Sequence, residues 1–202
     1  MFEVYFITDR RIMKNHFMKI ITAVARAGAE MIQVREKDLS DAELFALTKK
    51  VLSAARPHGT KVLVNSRWDI AKTAKADGVH LNANGIPVGV VRKEAGKNFL
   101  IGYSAHSLSE AIAVRKEGAD FITYSPIFKT RKPFRIKPKG ILNLKIITRK
   151  TGIPVYALGG INARNVGKLA NAGIRGVAVI SAVAKSQNPS KAIIILKGEN
   201  YA

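Results

Sequence analysis

Short apolar segments alternate with amphipathic segments along the whole chain. Some of the apolar segments stand alone and predict strands at 4–7, 61–64, 99–102 and 153–158. Further strands follow a weak internal repeat, in which the end of a helix, a turn glycine and a buried run recur at 25–34, 74–81, 115–124 and 170–180. The pattern therefore predicts eight strands, each followed by a helical segment.

The segments between the predicted strands have apolar residues at helical spacing. Phe17, Ile20 and Val24 fall on one face of a helix. Another helix is introduced by a capping box of Ser40 and Glu43. Strands that are apolar throughout and separated by helices indicate parallel pairing with helices outside. We predict a single (β/α)8 TIM barrel domain over residues 1–202, because the count of strands favours it over a doubly wound open sheet.

The composition indicates one core and a positive surface. The chain has 202 residues, of which 47% are hydrophobic, and a formal net charge of +20. It has no acidic residue from 121 to 198, whereas Lys and Arg side chains crowd the stretch 129–139. Such a surface attracts phosphate esters, nucleic acid and acidic lipid alike, so charge alone does not identify the partner.

Two absences narrow the chemistry. The sequence contains no cysteine, which excludes disulfides, cysteine-ligated zinc and cysteine nucleophiles. The start of the chain lacks the order of a secretion signal, and no uncharged apolar run reaches the roughly 18 residues of a membrane span. We therefore expect a cytoplasmic protein that does not associate with membranes.

In a closed barrel of parallel strands, the active site lies at the carboxyl ends of the strands. The polar residues at these ends that we predict to bind substrate are Gln33, Arg35, Lys37, Asn65, Ser104, Thr130 and Lys132. Gln33 and Arg35 are two positions apart on one strand, so they share a face that would suit a carboxylate or a phosphate. The alternative for this strand is an internal ion pair with Glu36 or with a neighbouring strand.

A phosphate site is predicted beside the last two strands. Gly159 and Gly160 precede a predicted helix that begins near Asn162, so backbone N–H groups and a helix N-terminus would face an anion beside Ser181. Barrels often bind phosphate after strands seven and eight. The alternative is that the paired glycines only make a tight turn.

His106 is the candidate catalytic residue. It lies between the end of strand five and the predicted helix cap Ser107. The positive end of that helix disfavours the imidazolium and leaves a neutral ring able to accept a proton. Among the other histidines, His80 is predicted to be a hydrogen-bonded core residue on strand four.

Many of these residues belong to segments that resemble the thiamin-phosphate synthase superfamily over nearly the whole chain. The matching segments are YFITD at 5–9, QVREK at 33–37, VN at 64–65, DGVHL at 77–81, SAHSLSEA at 104–111, GADFITYSPIFKT at 118–130, GGI at 159–161 and VAVISA at 177–182. The family fold is a (β/α)8 barrel, so the resemblance implies the same fold as the periodicity.

In this superfamily, thiamin-phosphate synthase joins a pyrimidine pyrophosphate to thiazole phosphate, using magnesium held by aspartates. One aspartate follows the asparagine that ends strand three, and another stands in a pattern like HxGQxD after strand four. The corresponding residues here are Ser66 and Gly85. The resemblance therefore implies that both metal ligands are missing, although Lys37 completes a QxRxK pattern typical of the synthase.

The segments NSRWDIA at 65–71 and SAHSLSEA at 104–111 resemble instead the thiazole tautomerase, or TenI-like, branch. This resemblance implies a metal-independent isomerase of thiamin biosynthesis that converts a carboxylated thiazole phosphate tautomer to its aromatic form. The roles that it implies are acid and base for His106, the carboxylate or a nearby anion for Arg35 and Lys37, and phosphate binding for Gly160, Ile180 and Ser181.

A thiazole tautomerase is therefore the predicted function, with a thiazole phosphate as small-molecule partner and with no metal or cofactor. The alternative is a diverged thiamin-phosphate synthase, which is a transferase. A third hypothesis is a non-enzymatic regulatory or nucleic-acid-binding barrel. The sequence has no nucleic-acid motif, so we do not expect nucleic acid as a partner. A homodimer is compatible with the sequence.

Overall fold

The fold is a closed barrel of eight parallel strands, seen in a computed structural model that describes residues 1–130 and 137–198. The strands are β1 (Glu3–Ile7), β2 (Met31–Val34), β3 (Lys61–Asn65), β4 (Gly78–Leu81), β5 (Leu100–Ala105), β6 (Phe121–Tyr124), β7 (Val155–Leu158) and β8 (Gly176–Val179). Each strand pairs in parallel with the next, and β8 pairs with β1 through Val177 and Val4. The predicted (β/α)8 barrel is confirmed, and the open sheet is excluded.

Helices surround the barrel. They are α1 (Arg10–Met13), α2 (Phe17–Arg26), α3 (Asp41–Ala55), α4 (Trp68–Thr73), α5 (Val88–Ala95), α6 (Leu108–Lys116), α7 (Gly140–Thr151), α8 (Ser181–Ala184) and α9 (Pro189–Lys197). The capping box of Ser40 and Glu43 begins α3 as predicted. In the described ranges, no helix has the length and hydrophobicity that crossing a membrane requires.

The connection from β7 to β8 differs from the prediction of a helix that begins near Asn162. A short 3-10 helix, Val166–Leu169, is found there instead. Asn162 Oδ1 accepts a hydrogen bond from the backbone N–H of Arg164 (2.9 Å), and Asn165 Oδ1 accepts one from that of Asn162 (2.8 Å). Because these side chains satisfy the backbone donors locally, they favour a turn over an α-helix.

Aromatic side chains fill the interior of the barrel. The rings of Tyr5 and Phe121 meet edge to face with centroids 5.6 Å apart, and those of Phe121 and Tyr156 lie 5.2 Å apart. Leu63 and Ala178 belong to the same buried cluster. Since side chains occupy the interior, the space for a ligand lies at the ends of the barrel.

Polar contacts at the amino ends of the strands join the two ends of the chain. Glu3, at the start of β1, pairs with Arg175 (Oε1 to Nε, 2.7 Å) and accepts a hydrogen bond from the Tyr156 hydroxyl. Lys197, at the end of α9, pairs with Glu30 (Nζ to Oε1, 2.9 Å). These contacts hold the first strand against the last elements, at the end of the barrel opposite the predicted site.

Candidate active site

The carboxyl ends of the strands bring predicted site residues to one end of the barrel. Gln33 lies on β2, Asn65 ends β3 and Ser104 lies on β5. Ser181 begins α8, two residues after the end of β8. The closed strand order therefore assembles on one rim residues that are far apart in the sequence.

A chain of hydrogen-bonded side chains forms the floor of this site. Gln33 Nε2 donates to the Tyr5 hydroxyl (2.7 Å), whose oxygen lies 3.3 Å from His80 Nδ1. On the other side of the imidazole, His80 Nε2 lies 3.0 Å from Ser104 Oγ and 3.3 Å from Thr123 Oγ1. The network joins the predicted residues Gln33 and Ser104 through Tyr5 and His80, with Thr123 beside them, and the sequence did not identify these three side chains as part of the site.

His80 is neutral in this network. Burial, followed by the positive charge of Arg35, lowers the pKa of His80 from 6.5 to about 3. The residue is only 3% exposed, and the prediction of a hydrogen-bonded core histidine is confirmed.

The direction of the hydrogen bonds follows from the neutral ring. A neutral imidazole has one donor and one acceptor nitrogen. The Tyr5 hydroxyl accepts from Gln33, and its buried hydrogen then needs His80 Nδ1 as an acceptor. This favours the tautomer with the imidazole hydrogen on Nε2, facing Ser104. Ser104 Oγ also accepts from the Thr123 hydroxyl (3.4 Å). The Ser104 hydrogen is therefore left for a further acceptor, such as a bound ligand.

The residues after β2 are a structural carboxylate and two cations that have no carboxylate partner among the described residues. Glu36 is buried and accepts hydrogen bonds from the Thr8 hydroxyl (2.6 Å) and the backbone N–H of Arg10 (3.1 Å). Its ion pair is with Arg10 (3.9 Å), not with Arg35 as the alternative interpretation held. In the described part of the chain, no carboxylate lies within 4.0 Å of the Arg35 or Lys37 charged groups.

A cavity of about 350 Å³ opens between the ends of β2, β3 and β4. Its lining includes Glu36, Lys37, Asn65, Ser66, Arg67 and Asn82. The volume falls in the range of roughly 300–1,000 Å³ that is usual for small-molecule sites. A second cavity, of about 460 Å³, lies at the opposite end of the barrel beside Asp77 and Phe99, away from every predicted site residue.

Ser66 is held between two side-chain amides in this cavity. Its Oγ accepts hydrogen bonds from Asn65 Nδ2 (3.1 Å) and Asn82 Nδ2 (2.9 Å). The orientation of the Asn82 amide is fixed, because its Oδ1 accepts from the backbone N–H of Asn84 (3.0 Å). Asn82 was not among the predicted site residues, although its position directly after β4 is the signal that identified the others.

Arg67 pairs with two carboxylates at the edge of the cavity. Its Nη2 donates to Asp69 Oδ2 (2.6 Å) and to Asp41 Oδ2 (3.0 Å). The two hydrogen-bonded carboxylates raise the pKa of Arg67, and the guanidinium lowers the pKa of Asp41 and of Asp69. Both carboxylates are therefore ionised, and they share the one guanidinium of Arg67 as their partner.

The cavity does not fit the magnesium ion that the family resemblance implies. Magnesium prefers anionic oxygen ligands, whereas position 66 offers a hydroxyl that already accepts two N–H groups and position 85 is a glycine. The carboxylates of Glu36 and Asp41 are occupied by protein donors. In the described residues, no three His, Cys, Asp or Glu side chains come together as a metal site.

Gly159 and Gly160 are required by close packing. Both have positive φ angles, of 98° and 72°. A Cβ on Gly159 would lie 2.7 Å from Pro126 Cα, and one on Gly160 would lie 2.6 Å from the Lys129 carbonyl oxygen. The loop after β6 thus explains both glycines without a ligand, and their contact with a phosphate stays a prediction.

His106 lies on the rim directly after β5, with an exposed side chain. Its backbone N–H donates to Glu110 Oε2 (2.6 Å), and its carbonyl accepts from Lys139 Nζ (2.6 Å). The Lys139 ammonium also lies 5.2 Å from the centroid of the Tyr124 ring, a cation–π contact. Lys139 therefore joins the ends of β5 and β6 to the start of α7, a role that the sequence did not reveal.

The loop after β6 holds the remaining predicted residues. Thr130 is half-buried at the last described position before the gap. Lys132 lies outside the described residues, as do Arg131 and Arg135 of the basic stretch.

Comparisons with known proteins identify relatives along nearly the whole chain. The family described as thiamine monophosphate synthase matches residues 4–183. A protein of Aquifex aeolicus is 44% identical over 89% of this chain and 96% of its own length. The thiamine-phosphate synthase of Pyrococcus abyssi is 35% identical over 94% of this chain and 90% of its own length. The solved structure of thiamine phosphate pyrophosphorylase from Pyrococcus furiosus has a TM-score of 0.88 and 33% identity, and covers 97% of this chain and 94% of that one.

These comparisons correct the function predicted from the sequence. The thiamine-phosphate synthase of Pyrococcus abyssi and the pyrophosphorylase structure both extend over nine-tenths or more of this chain. The prediction of a thiazole tautomerase, an isomerase, is therefore wrong, and the alternative of a transferase is the better supported one. The tautomerase prediction depended on two short segments, 65–71 and 104–111, and on the missing metal ligands at positions 66 and 85. These few positions carry less information than identity spread over the whole barrel.

Proposed function

The chain belongs to the thiamine monophosphate synthase family, and from that membership we propose that it is a transferase that couples a pyrimidine diphosphate to a thiazole phosphate. The carbon–oxygen bond to the diphosphate breaks, the pyrimidine is joined to the thiazole, and diphosphate is released. Such a site must hold two phosphorylated molecules side by side and stabilise the negative charge that develops on the leaving diphosphate.

The observation that carries this proposal is the pair of free cations after β2. Neither Arg35 nor Lys37 has a carboxylate within 4.0 Å among the described residues, and Lys37 lines the cavity. A guanidinium and an ammonium at one rim supply the charge and the N–H donors that a diphosphate requires. We place the diphosphate in this cavity, beside Asn65.

The floor network supports binding of the two rings. Gln33 and Ser104 are held in place through Tyr5 and His80, so their polar groups are positioned before a substrate arrives. The uncommitted hydrogen of Ser104 would donate to a substrate above the floor. His106, predicted from the sequence as the catalytic acid and base, lies on the rim beside it, and in this reaction we propose it as a substrate contact.

We assign the phosphate of the thiazole to the opposite side of the mouth. The proposed phosphate contacts are Gly159, Gly160, Ile180 and Ser181, with Thr130 and Lys132 as further substrate contacts. The glycines, Ile180 and Ser181 follow β7 and β8, where barrels commonly bind phosphate, and Thr130 and Lys132 belong to the neighbouring loop after β6.

The test is a coupling assay with a pyrimidine diphosphate and a thiazole phosphate, in which thiamine monophosphate and released diphosphate are both measured by phosphorus NMR. The wild-type protein is expected to form both products in equal amounts. Lys37→Ala should lose at least tenfold in kcat/KM, because a charge-assisted contact to the diphosphate is removed. Lys19→Ala, an exposed residue of α2, is the matched control. Absence of coupling, with magnesium and without it, would overturn the proposed function.

The homodimer and the cytoplasmic location stay predictions. Light scattering after size exclusion would measure the mass of the assembly directly. A mass equal to one chain at the concentration of the assay would contradict the homodimer without affecting the proposed reaction.

A further inference from the structure

We propose that Ser66 makes the cavity between β2, β3 and β4 a metal-free site for a diphosphate, in which the Ser66 hydroxyl donates a hydrogen bond to a phosphate oxygen. The identity of the ligand rests on the proposed function. A hydrogen-bond donor stands at position 66, where thiamin-phosphate synthase has a carboxylate for a metal according to the family resemblance.

The first support is the hydrogen bonding of Ser66. A serine hydroxyl has two lone pairs and one hydrogen. Both lone pairs are used, because Oγ accepts from Asn65 Nδ2 (3.1 Å) and from Asn82 Nδ2 (2.9 Å). Ser66 Oγ therefore has no lone pair for a cation, and its hydrogen remains free to donate to an anion.

The second support is the backbone that presents this hydroxyl. Ser66 has a φ of 62°, in the left-handed region that serine rarely adopts. Its backbone N–H donates to the His80 carbonyl (2.9 Å), which fixes the residue against the end of β4. Residues held in such conformations are often functional, because the surrounding structure must enforce them. The hydroxyl is consequently positioned in the cavity before any ligand binds.

The third support is the charge around the cavity. The nearby carboxylates of Asp41 and Asp69 are both paired with Arg67, and Glu36 accepts from Thr8 and Arg10. Lys37, in contrast, has no carboxylate partner among the described residues. An incoming cation would meet occupied carboxylates and a free ammonium, whereas an incoming anion would meet the ammonium and the Ser66 hydroxyl.

The experiment measures binding of inorganic pyrophosphate by calorimetry, once with EDTA and once with magnesium. Wild-type protein is expected to bind pyrophosphate in EDTA. Magnesium should weaken this binding or leave it unchanged, because it competes with the protein for pyrophosphate. If pyrophosphate binds in magnesium alone, or at least tenfold more tightly with it, the metal-free site is wrong.

Variants of Ser66 test the donor itself. Ser66→Ala should weaken binding of pyrophosphate in EDTA about tenfold or more, as expected for a lost hydrogen bond to a charged group. Ser66→Gly removes the same hydroxyl but accepts a positive φ, so it should show the same loss without backbone strain. Ser53→Ala is the matched control, because its exposed hydroxyl bonds to the Lys49 carbonyl on α3. Unchanged affinity in both Ser66 variants would overturn the role of the hydroxyl.

Ser66→Asp reverses the polarity of the site. In EDTA, the added carboxylate should abolish binding of pyrophosphate through like-charge repulsion. Any binding that this variant retains should require magnesium. Retained binding of pyrophosphate by Ser66→Asp in EDTA would contradict a donor at this position.

The binding and coupling experiments distinguish failure of this site from failure of the proposed function, because calorimetry with pyrophosphate needs no turnover. Metal-free binding of pyrophosphate without coupling would overturn only the proposed function. Coupling that requires magnesium, together with magnesium-dependent binding, would overturn only this inference.

Discussion

The hydroxyl of Tyr5 and the imidazole of His80 lie 3.3 Å apart inside the barrel, where they connect β1 to β4. β1 and β4 do not pair with each other, since β2 and β3 lie between them. The contact crosses the interior of the barrel and joins the buried Gln33 to Ser104. The positions of two site residues therefore depend on a tyrosine and a histidine that lie beneath the mouth.

Removing the Tyr5 hydroxyl should destabilise the protein. In Tyr5→Phe the ring still fills the core, but the Gln33 amide and His80 Nδ1 lose their partner in a buried place. We expect a loss of about 1–3 kcal/mol in the free energy of unfolding, measured by denaturant titration. Tyr124→Phe is the control, because the Tyr124 hydroxyl has no hydrogen-bond partner among the described residues. This variant should change stability by less than about 0.5 kcal/mol. Equal effects of the two variants would contradict the network.

His80 should make stability fall with acidity. The folded protein holds the pKa of His80 at about 3, against 6.5 as its ordinary value. Below pH 6.5 the unfolded chain takes up a proton that the folded protein does not, so folding loses about 1.4 kcal/mol per pH unit until the pH approaches 3. Above pH 6.5 both states are neutral at this residue and it contributes no pH dependence.

The measurement compares how the free energy of unfolding changes with pH in wild type and in His80→Asn, which lacks the titrating imidazole. Because both proteins have the same carboxylates, the contribution of these groups cancels in the difference. Between pH 6 and pH 4, the slopes of unfolding free energy against pH should differ by about 1.4 kcal/mol per pH unit. Parallel curves would mean that His80 titrates at its ordinary pKa in the folded protein.

Arg35 should control that same pKa. Its positive charge is the second cause, after burial, of the low pKa of His80. Arg35→Gln is therefore expected to raise the pKa of His80 while leaving it below 6.5, as measured by NMR titration of the imidazole carbon-bound protons. Arg26→Gln, an exposed residue of α2, serves as the control and should leave the titration unchanged. An unshifted His80 in Arg35→Gln would show that the guanidinium is directed away from the floor.

Gly160 should resist substitution for a structural reason. In Gly160→Ala the new Cβ would meet the Lys129 carbonyl oxygen at 2.6 Å, at a φ of 72°. We expect a destabilisation of about 2 kcal/mol or more in thermal unfolding. Gly167→Ala is the matched control, since a Cβ there meets nothing within 4 Å. Wild-type stability of Gly160→Ala, with loss of phosphate affinity alone, would favour a purely ligand-binding role for this glycine.

The sequence identified the strands because their signal is local. Apolar runs bounded by turn glycines place β1 to β8 to within a few residues, and the capping box at Ser40 places the start of α3. The same local pattern wrongly predicted a helix after β7, where the Asn162 and Asn165 side chains accept hydrogen bonds from the backbone and form a turn. Side-chain hydrogen bonds of this kind have no hydrophobic period, so periodicity does not detect them.

By itself, the sequence determined the barrel, the end that carries the site and the polar residues at the strand ends, because strand period and strand order fix them. Only the tertiary structure decided which of those residues act together. The clamp of Asn65 and Asn82 on Ser66, the pairing of Arg67 with Asp41 and the Gln33–Tyr5–His80 chain all join residues from different βα units. Their distances follow from the register and closure of the sheet, which no local pattern along the chain encodes.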